Sequence, residues 1–229
     1  QGDKALHCFE EMQREGVSPN TITLVSVLRA CGSLQASNKG QEIHAYVIKE
    51  GLFDVSVGNA LIDMYAKCSM LTKALEVFDS LPARNQITWN ALISGFSQLG
   101  KAEEVFNLFE CMNIEGVKPD EATFAGVLKA CSHGGDIDKG HRYFESMKES
   151  YGITPGLSHH TCMVDLLGRA GQLTKAGEMM DNVPFHPDSV MSLALLSACR
   201  KWSDIDLGAY VFEHAIGSDE KLTSAYVCM

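Results

Sequence analysis

The chain has 229 residues, of which 45% are hydrophobic, and a formal net charge of −10 at pH 7. This apolar content excludes a disordered chain, and no run approaches the roughly eighteen apolar residues that a membrane-spanning helix needs, so no membrane association is expected. The negative charge argues against indiscriminate nucleic-acid binding, which relies on a large positive surface. It leaves open the binding of a short single strand through its bases.

The cysteine pattern indicates free thiols. The chain has eight cysteines but no Cys-x-x-Cys pair, and several of them lie in apolar helical stripes. Buried, reduced thiols are the simplest interpretation, which fits a reducing compartment. No signal or transit peptide is visible, but the chain opens in the middle of a helical pattern and could be a fragment, so this absence is weak evidence.

In chain order, residues 1–20 match only the second half of the helical hairpins that follow. Complete hairpins of two short helices are predicted for residues 21–54, 55–85, 86–120, 121–156 and 157–188. A looser hairpin is predicted for residues 189–222, and residues 223–229 look like the start of a further helix. No strand and no interdomain linker is predicted.

The clearest hairpin lies at residues 86–120. In its first half, apolar residues recur at three- and four-residue steps, which places them on one helical face; they are Trp89, Leu92, Ile93 and Phe96. Gly100 then marks a turn, because glycine suits helix ends. The second half carries another apolar stripe, formed by Ala102, Val105, Phe106, Phe109 and Met112. One hairpin cannot bury both stripes, so it needs copies above and below.

Such copies are present along the chain. TITLVSVLRACGS, which starts at Thr21, returns as EATFAGVLKACSH from Glu121, and KALEVFDSLP returns as KAGEMMDNVP. Self-similarity at a period of roughly thirty to forty residues is typical of a solenoid. We therefore predict an all-α fold, a right-handed α-solenoid superhelix of helix-turn-helix repeats, with the first helices lining a concave face and the second helices covering the outside.

Most of the prominent side chains have a structural interpretation. The large apolar residues are predicted to be core; they are Trp89, Phe106, Phe109, Phe124, Phe144 and Met147. The glycine before a second helix is predicted to serve the turn, at Gly100, Gly135 and Gly171. Acidic residues of the second helices, Glu103, Glu104 and Glu145, are predicted to face solvent on the outer side.

Several stretches resemble the pentatricopeptide repeat (PPR) family of plant organelles, in its PLS subclass with alternating repeat lengths. They include NALIDMYAKC, WNALISGFSQLG, GVKPDEATFAGVLKACSHGG and MVDLLGRAGQL, and the resemblance covers about the whole chain. It implies long (L-type) repeats at 21–54 and 121–156, short (S-type) repeats at 55–85 and 157–188, and a standard (P-type) repeat at 86–120. It also implies a first extension motif at 189–222, E1-like and similar to a tetratricopeptide repeat, and the start of a truncated E2-like motif at 223–229.

The resemblance implies that each repeat recognises one base of single-stranded RNA through its fifth and its last residue. A short polar side chain early in the first helix can reach the Watson–Crick edge of an unstacked base. The implied pairs are Asn59 with Asn85 for a pyrimidine, Asn90 with Asp120 for a uridine, and Thr161 with Asp188 for a guanosine. The long repeats offer Val25 with Asp54 and Ala125 with Gly156, whose fifth residues have no side-chain hydrogen bond, so no base is assigned. Since the repeats run parallel to the RNA, the implied core is pyrimidine, uridine, any base, guanosine.

Two further roles follow from the resemblance. The second residue of a repeat sandwiches the base, which Ile22 and Ile87 could do, whereas Ser56 and Ser158 would stack poorly. Lys67 and Arg169, late in their first helices, could contact phosphates. The alternative is that both cations are only solvated charges. In the same way, Asn59, Asn90 and Thr161 could simply cap backbone N–H groups near a helix start.

No catalytic constellation is visible in the chain. A zinc deaminase of the kind found in relatives needs His-x-Glu and Cys-x-x-Cys, and neither motif occurs. His159 and His160 are interpreted as a surface pair, and there is no phosphate-binding glycine loop and no Gly-x-Ser-x-Gly elbow. We therefore predict no enzymatic activity, no metal and no cofactor.

The sequence as a whole predicts a sequence-specific RNA-binding module of a mitochondrial or chloroplast RNA-processing factor. Site recognition for C-to-U editing is favoured, with the deaminase supplied by a missing region or in trans, and with editing cofactors contacting residues 189–229. The alternatives are a peptide-binding scaffold of the tetratricopeptide kind and an inactive fragment of an editing factor.

Overall fold

The computed structural model describes residues 2–184 and 188–218, and every regular element in them is an α-helix. The helices are α1 (Gly2–Arg14), α2 (Thr21–Leu34), α3 (Ser37–Lys49), α4 (Val55–Lys67), α5 (Leu71–Ser80), α6 (Gln86–Gln98), α7 (Ala102–Ile114), α8 (Glu121–Gly134), α9 (Ile137–Glu149), α10 (Leu157–Arg169), α11 (Leu173–Asp181), α12 (Ser189–Trp202) and α13 (Ile205–Ser218). The fold is an all-α helical repeat solenoid. The predicted E2-like segment, 223–229, lies outside the described residues.

The chain divides into two compact units, one within residues 1–118 and the other within 119–229. In the first unit, α2 packs against α4 and α4 against α6, and in the second unit α8 packs against α10 and α10 against α12. These helices are the first helices of the hairpins. Within a unit, each second helix packs against the first helix of its own hairpin and that of the next. The sequence contains no linker that would have predicted the division before Pro119.

The turn inside each hairpin requires one residue in the left-handed region of φ. Gly100 adopts a φ of 69°, which suits the turn role predicted for it, and Gly135 and Gly171 behave in the same way. In the hairpin before Gly100, Ser69 takes this conformation with a φ of 60° although it has a side chain. The turn geometry is therefore kept even where the sequence lacks a glycine.

The predicted core residues are buried, with one exception. Trp89, Phe106, Phe109, Phe124 and Met147 are inaccessible or nearly so, whereas Phe144 is half-buried and packs edge-on against the His160 ring. The acidic residues Glu103, Glu104 and Glu145 are exposed, as predicted for the outer side.

The described cysteines are free thiols, but they are not uniformly buried. Cys31, Cys131 and Cys199 are buried, and burial raises the pKa of the Cys31 thiol to about 11 and that of Cys131 to about 12. Cys8 and Cys111 are exposed. The expectation of buried thiols is therefore wrong for these two, which lie on the outward faces of α1 and α7.

Neighbouring first helices approach each other closely because small residues face one another. A Cβ atom added to Gly95 in α6 would lie 2.4 Å from the Cβ atom of Ala66 in α4. In the second unit, a Cβ atom added to Gly168 in α10 would lie 2.8 Å from that of Ala198 in α12. Real Cβ atoms do not approach so closely, so these glycines set the spacing of the helices in each unit.

We expect Gly95→Ala to destabilise the chain. Alanine normally favours a helix over glycine by about 1 kcal/mol, so a net loss can come only from the contact with Ala66. The expected loss in the free energy of unfolding is about 1–3 kcal/mol, which is typical of overpacking. Thermal and urea unfolding followed by circular dichroism measure it.

Gly208→Ala is the matched control, because a Cβ atom at Gly208 would lie 3.5 Å from that of Cys199, at an ordinary contact distance. This helical substitution should leave stability unchanged or raise it. If Gly95→Ala behaved in the same way, the close approach of α4 and α6 would be incorrect.

Candidate functional site

Each unit carries an open groove on the face formed by its first helices. The first groove has a volume of about 660 Å³ and is lined by residues of α2, α4 and α6. The second groove has a volume of about 680 Å³ and is lined by residues of α8, α10 and α12 together with Asp188. Neither groove receives a residue from a second helix.

The same helical positions line both grooves. Counted from the start of each helix, they are the second, fifth, sixth, ninth and thirteenth, which share one helical face. The residues of α4 are Ser56, Asn59, Ala60, Asp63 and Lys67, and those of α10 are Ser158, Thr161, Cys162, Asp165 and Arg169. From α6 and α12 the second, fifth, sixth and ninth residues contribute; these are Ile87, Asn90, Ala91 and Ser94, and Val190, Leu193, Ala194 and Ser197.

Seven of the ten residues predicted from the sequence line these grooves. They are Asn59, Lys67, Ile87 and Asn90 in the first groove, and Thr161, Arg169 and Asp188 in the second. Of the other three, Ile22 is 76% exposed on α2, and Asn85 and Asp120 stand immediately before α6 and α8. Asn90 belongs to the first unit and its predicted partner Asp120 to the second.

The last residues of the repeats are helix N-caps. The side chains of Asp54, Asn85, Asp120 and Asp188 each accept a hydrogen bond from the backbone N–H three residues later, at 2.8–3.0 Å. These caps lie five residues before the fifth residues, immediately before each helix, where they satisfy otherwise unpaired N–H groups. The capping role considered for Asn59 and Thr161 is wrong, because neither side chain accepts a backbone N–H. One oxygen of each last residue is committed to its helix.

His159 replaces the missing cap side chain at Gly156. It is 1% exposed, its Nδ1 accepts the Gly156 N–H at 3.0 Å, and its Nε2 lies 2.8 Å from the Glu121 carbonyl oxygen. The accepted N–H requires an unprotonated Nδ1, so Nε2 carries the proton and donates it to the carbonyl. The interpretation as a surface histidine pair is wrong for this residue, because burial and two backbone hydrogen bonds give it a structural role.

Asn59 is 9% exposed and shares a hydrogen-bond network with the start of α6. The Thr88 hydroxyl donates to Asn59 Oδ1 at 2.7 Å, and Asn59 Nδ2 donates to Asn85 Oδ1 at 3.4 Å. The predicted pair of Asn59 and Asn85 is therefore in direct contact. The sequence did not single out Thr88, although its spacing from Asn85 is that of a capping box.

Thr161 is half-buried in the second groove, and its hydroxyl donates to the Leu157 carbonyl oxygen of the same helix at 2.9 Å. A hydroxyl has one proton and two lone pairs. Since its proton is used inside the helix, Thr161 can offer the groove only a hydrogen-bond acceptor.

Both predicted phosphate-binding cations form ion pairs four residues back along their helices. Lys67 Nζ lies 2.7 Å from Asp63 Oδ2, and Arg169 Nε lies 2.8 Å from Asp165 Oδ2. The cations therefore face the grooves with part of their charge compensated. These two aspartates were not predicted from the sequence. Arg29 and Lys129 were not predicted either; they occupy the ninth position of the preceding first helices and line the grooves. All four residues lie seven positions after the second residue of their helix, two helical turns along the same face, and this spacing would have identified them.

Exposed apolar residues occur at the second position of three first helices. Ile22 is 76% exposed, Ile87 65% and Val190 60%. Exposed aliphatic residues also occur elsewhere, as at Ile114 with 83%, so it is the shared helical position and not the exposure that distinguishes these three. Val190 in α12 was not singled out from the sequence, although it occupies the same position as the two isoleucines.

No group of three or more histidine, cysteine, aspartate or glutamate side chains within residues 2–184 and 188–218 could hold a metal ion. Among the helices that the structure describes, none is long and apolar enough to cross a membrane.

Residues 84–133 match the PPR repeat family, and residues 1–17, 59–85 and 122–151 match the PPR repeat. Among similar proteins, the pentatricopeptide repeat-containing protein At1g20230 of Arabidopsis thaliana is 42% identical over 95% of this chain and 29% of its own length. At3g57430, chloroplastic, is 42% identical over 98% of the chain and 26% of its own, and At1g06140, mitochondrial, is 39% identical over 99% and 41%. The chain spans between about a quarter and two fifths of these relatives.

Solved structures of the pentatricopeptide repeat protein PPR10 share the fold. PPR10 from maize matches with a TM-score of 0.66 and 20% identity, covering 99% of this chain and 34% of that one. PPR10 in complex with an 18-nt psaJ RNA element matches with a TM-score of 0.76 and 14% identity, covering 100% and 37%.

We expect Asp188→Ala to lower the free energy of unfolding by about 1 kcal/mol, the usual cost of losing an N-cap. Asp188→Asn should keep most of that stability, because an amide oxygen can accept the same Met191 N–H. Chemical unfolding of the two variants checks this. Equal losses in both would show that Asp188 does not act as a cap.

Proposed function

We propose that this chain, whose repeats match the PPR repeat family, is a sequence-specific single-stranded RNA-binding module of an organellar RNA-processing factor. The observation that carries the proposal is the repetition of the same five helical positions along both grooves. A surface that repeats once per hairpin suits a ligand that also repeats, such as the bases of an extended strand.

The fifth and last residues form the proposed base-reading sites. They are Asn59 with Asn85 for a pyrimidine, Asn90 with Asp120 for a uridine, and Thr161 with Asp188 for a guanosine. The hydrogen bonding of Thr161 supports the assignment of guanosine. Its hydroxyl offers the groove an acceptor, and the Watson–Crick edge of guanine presents the N1–H and N2–H donors. The long repeats read no base in this proposal, since Val25 and Ala125 are apolar and Asp54 is bound to the Val57 N–H and the Thr21 hydroxyl.

Stacking and phosphate contacts would supply affinity that does not depend on the RNA sequence. Ile22 and Ile87, and by the same position Val190, would sandwich bases, while Lys67 and Arg169 would contact the backbone. With a net charge of −10, the chain needs such local contacts, because its overall field repels RNA.

The proposal also assigns the protein to an organelle and to one kind of RNA processing. The names of two similar proteins carry the words chloroplastic and mitochondrial, which supports a mitochondrial or chloroplast location. We assign the chain to the PLS subclass, with α12 and α13 as an E1-like motif, and to site recognition for C-to-U editing. The deaminase would come from elsewhere, either in the same protein or in trans, and residues 189–229 would contact it or an editing cofactor.

A peptide-binding scaffold is the second candidate. The observation that favours it is the exposure of Trp202, Ile205 and Tyr210 at the last described hairpin. Exposed aromatic side chains are enriched in protein interfaces.

Filter binding of the 229-residue chain to a short RNA with the core C-U-N-G separates the two candidates. We expect binding that weakens when the C is replaced by a purine, or the U or G by any other base, and that does not change with N. Equal binding of all these RNAs would contradict the base-reading proposal. A chain that bound no RNA but bound peptides would support the scaffold instead.

We expect Thr161→Asn to move the preference at the last core position from guanosine to uridine. An asparagine amide offers both a donor and an acceptor, which match uracil O4 and N3–H. One such base contact contributes about 1–3 kcal/mol of discrimination, so the ratio of affinities should change about tenfold or more. Ser158→Ala is the control at a neighbouring groove position, and it should leave the preference unchanged. Identical preferences in Thr161→Asn and the unmodified chain would refute this assignment.

We expect Lys67→Gln to weaken binding to all RNA sequences alike. The slope of log affinity against log salt concentration should fall by about one, as the loss of one phosphate contact predicts. Asp63→Asn frees Lys67 from its ion pair, so this variant should bind RNA more tightly at low salt. Affinities measured at several salt concentrations check both. If Asp63→Asn weakened binding as much as Lys67→Gln, the ion pair itself would be the functional element, and Lys67 would not contact phosphate.

A further inference from the structure

The ninth residues of the helices that line the grooves follow the same order of charge in both units. Along each unit, this residue is basic in the earliest of the three helices, acidic in the next and a serine in the last. The residues are Arg29, Asp63 and Ser94 in the first unit, and Lys129, Asp165 and Ser197 in the second. The basic residue therefore belongs to the hairpins at 21–54 and 121–156, for which no base is assigned.

Arg29 has no acidic partner. No residue three or four positions away on α2 is acidic, and the guanidinium forms no ion pair or hydrogen bond with any residue that the structure describes. Asp63, at the same position of the adjacent α4, is bound to Lys67 at 2.7 Å. The Lys67 stem lies against α2, because a Cβ atom added to Gly32 would be 3.1 Å from Lys67 Cδ. The first groove is therefore lined by two cations and one anion, with one positive charge in excess.

Lys129 is placed in the same way in the second groove. It also lacks an acidic residue three or four positions away, and its ammonium has no ion-pair or hydrogen-bond partner within residues 2–184 and 188–218. Asp165 accepts hydrogen bonds from the Ser132 hydroxyl and from Arg169 Nε through the same oxygen, Oδ2. Burial, and next the Asp165 charge, raise the pKa of the Cys162 thiol to about 11, whereas the Lys129 charge lowers it. The ammonium therefore lies near α10 on the groove face.

Asp188 is the other anion of the second groove, and it does not compensate Lys129. It stands directly before α12, where one oxygen accepts the Met191 N–H. The ninth residue of a first helix lies roughly 13 Å along the axis from that level, at 1.5 Å per residue. This exceeds the Debye length of about 8 Å at physiological salt, so the two charges are largely screened from each other.

We propose that Arg29 and Lys129 are binding sites for the phosphodiester backbone of single-stranded RNA, so that the hairpins at 21–54 and 121–156 hold the strand without reading a base. This inference rests on the proposed function, because it gives a role in the same grooves to two hairpins that have none. Each site takes one phosphate. In the first groove, the single positive charge in excess equals the single negative charge of a phosphodiester.

The chemistry of the two hairpins suits the backbone and not a base. Val25 and Ala125 at the fifth position have no side-chain hydrogen bond to offer, and Gly156 has no side chain. The cation at the ninth position lies about 6 Å further along the same helical face. A guanidinium or an ammonium binds phosphate oxygens through charge-assisted hydrogen bonds, which carry no information about the base.

An unpaired cation binds a phosphate at a lower cost than a paired one. Lys67 and Arg169 must weaken the contact with their own aspartates before they bind, whereas Arg29 and Lys129 have no such contact to give up. In a chain with a net charge of −10, an uncompensated local charge is also what an RNA strand needs in order to approach.

Substitution of the two cations tests the sites through the salt dependence of RNA binding. Arg29→Gln and Lys129→Gln should each weaken binding to an RNA that carries the C-U-N-G core and several flanking nucleotides, by about two- to fivefold at low salt. Each should also lower the slope of log affinity against log salt concentration by about 0.7 to 1. The preferences among RNAs with altered core bases should not change. Arg29→Lys and Lys129→Arg keep the charge and should bind like the unmodified chain.

A methylphosphonate, which replaces a charged phosphate by a neutral group, locates the contact. In the register of the proposed function, the hairpin at 121–156 faces the N of the core. Neutral groups on both sides of this N should weaken binding to the unmodified chain and have no further effect on Lys129→Gln. A methylphosphonate at the 3′ end of the RNA should affect neither chain.

Lys148→Gln is the matched control for net charge. Lys148 is exposed on α9, a second helix that contributes nothing to a groove. This variant should leave the affinity and the salt slope unchanged. An equal loss of binding in Lys148→Gln and Lys129→Gln, or an equal effect of the methylphosphonates on Lys129→Gln and the unmodified chain, would overturn the inference while RNA recognition remained intact. An unmodified chain that bound no RNA, or bound all core sequences equally, would instead contradict the proposed function.

Discussion

The close approach of neighbouring first helices is the constraint on which each groove depends. Ala66 and Gly95 in the first unit, and Gly168 and Ala198 in the second, leave no room for a larger side chain between the helices. Helices that touch through small residues cannot slide or rotate freely, because any shift brings a larger neighbour into the contact. The second, fifth, sixth, ninth and thirteenth residues of these helices therefore stay on one face. A regular groove is a consequence of this packing and does not require a separate set of contacts.

The residue that ends one repeat also starts the first helix of the next. Asp54, Asn85, Asp120 and Asp188 each use one oxygen to cap a helix, so their position relative to the groove is as fixed as the helix itself. Of these capping residues, Asp188 lines the second groove and Asn85 contacts the groove residue Asn59. If the proposed function holds, recognition and stability share this position, and a substitution there would affect both unless it preserved the capping oxygen. Gly156 shows that the helix can begin without such a side chain, since His159 takes over the hydrogen bond from the backbone.

The sequence was sufficient to predict the all-α repeat fold, because apolar periodicity and self-similarity report directly on helices that bury one face. Seven of the ten predicted site residues also line the grooves, since the register of a repeat fixes which positions face the same way. The sequence could not predict the partners of those residues. The ion pair of Lys67 with Asp63 and the contact of Thr88 with Asn59 depend on rotamers and on the distance between helices, which no pattern of residue types contains. His159 was misjudged for the same reason: two adjacent histidines at a helix start look exposed until the fold places one of them against a backbone carbonyl of α8.

The atoms that remain unbonded determine what a groove residue can recognise. Asn59 and Thr161 stand at the same position of their helices, yet their hydrogen bonds within the protein differ. Asn59 accepts a hydrogen bond from Thr88 and donates one to Asn85, whereas Thr161 donates its only hydroxyl proton to the Leu157 carbonyl oxygen and keeps acceptor lone pairs. The two residues would therefore differ in what they can offer a base, since only Asn59 retains a proton to donate. Residue type alone therefore does not determine the hydrogen bonds that a groove residue can offer, because part of its donors and acceptors is used within the protein.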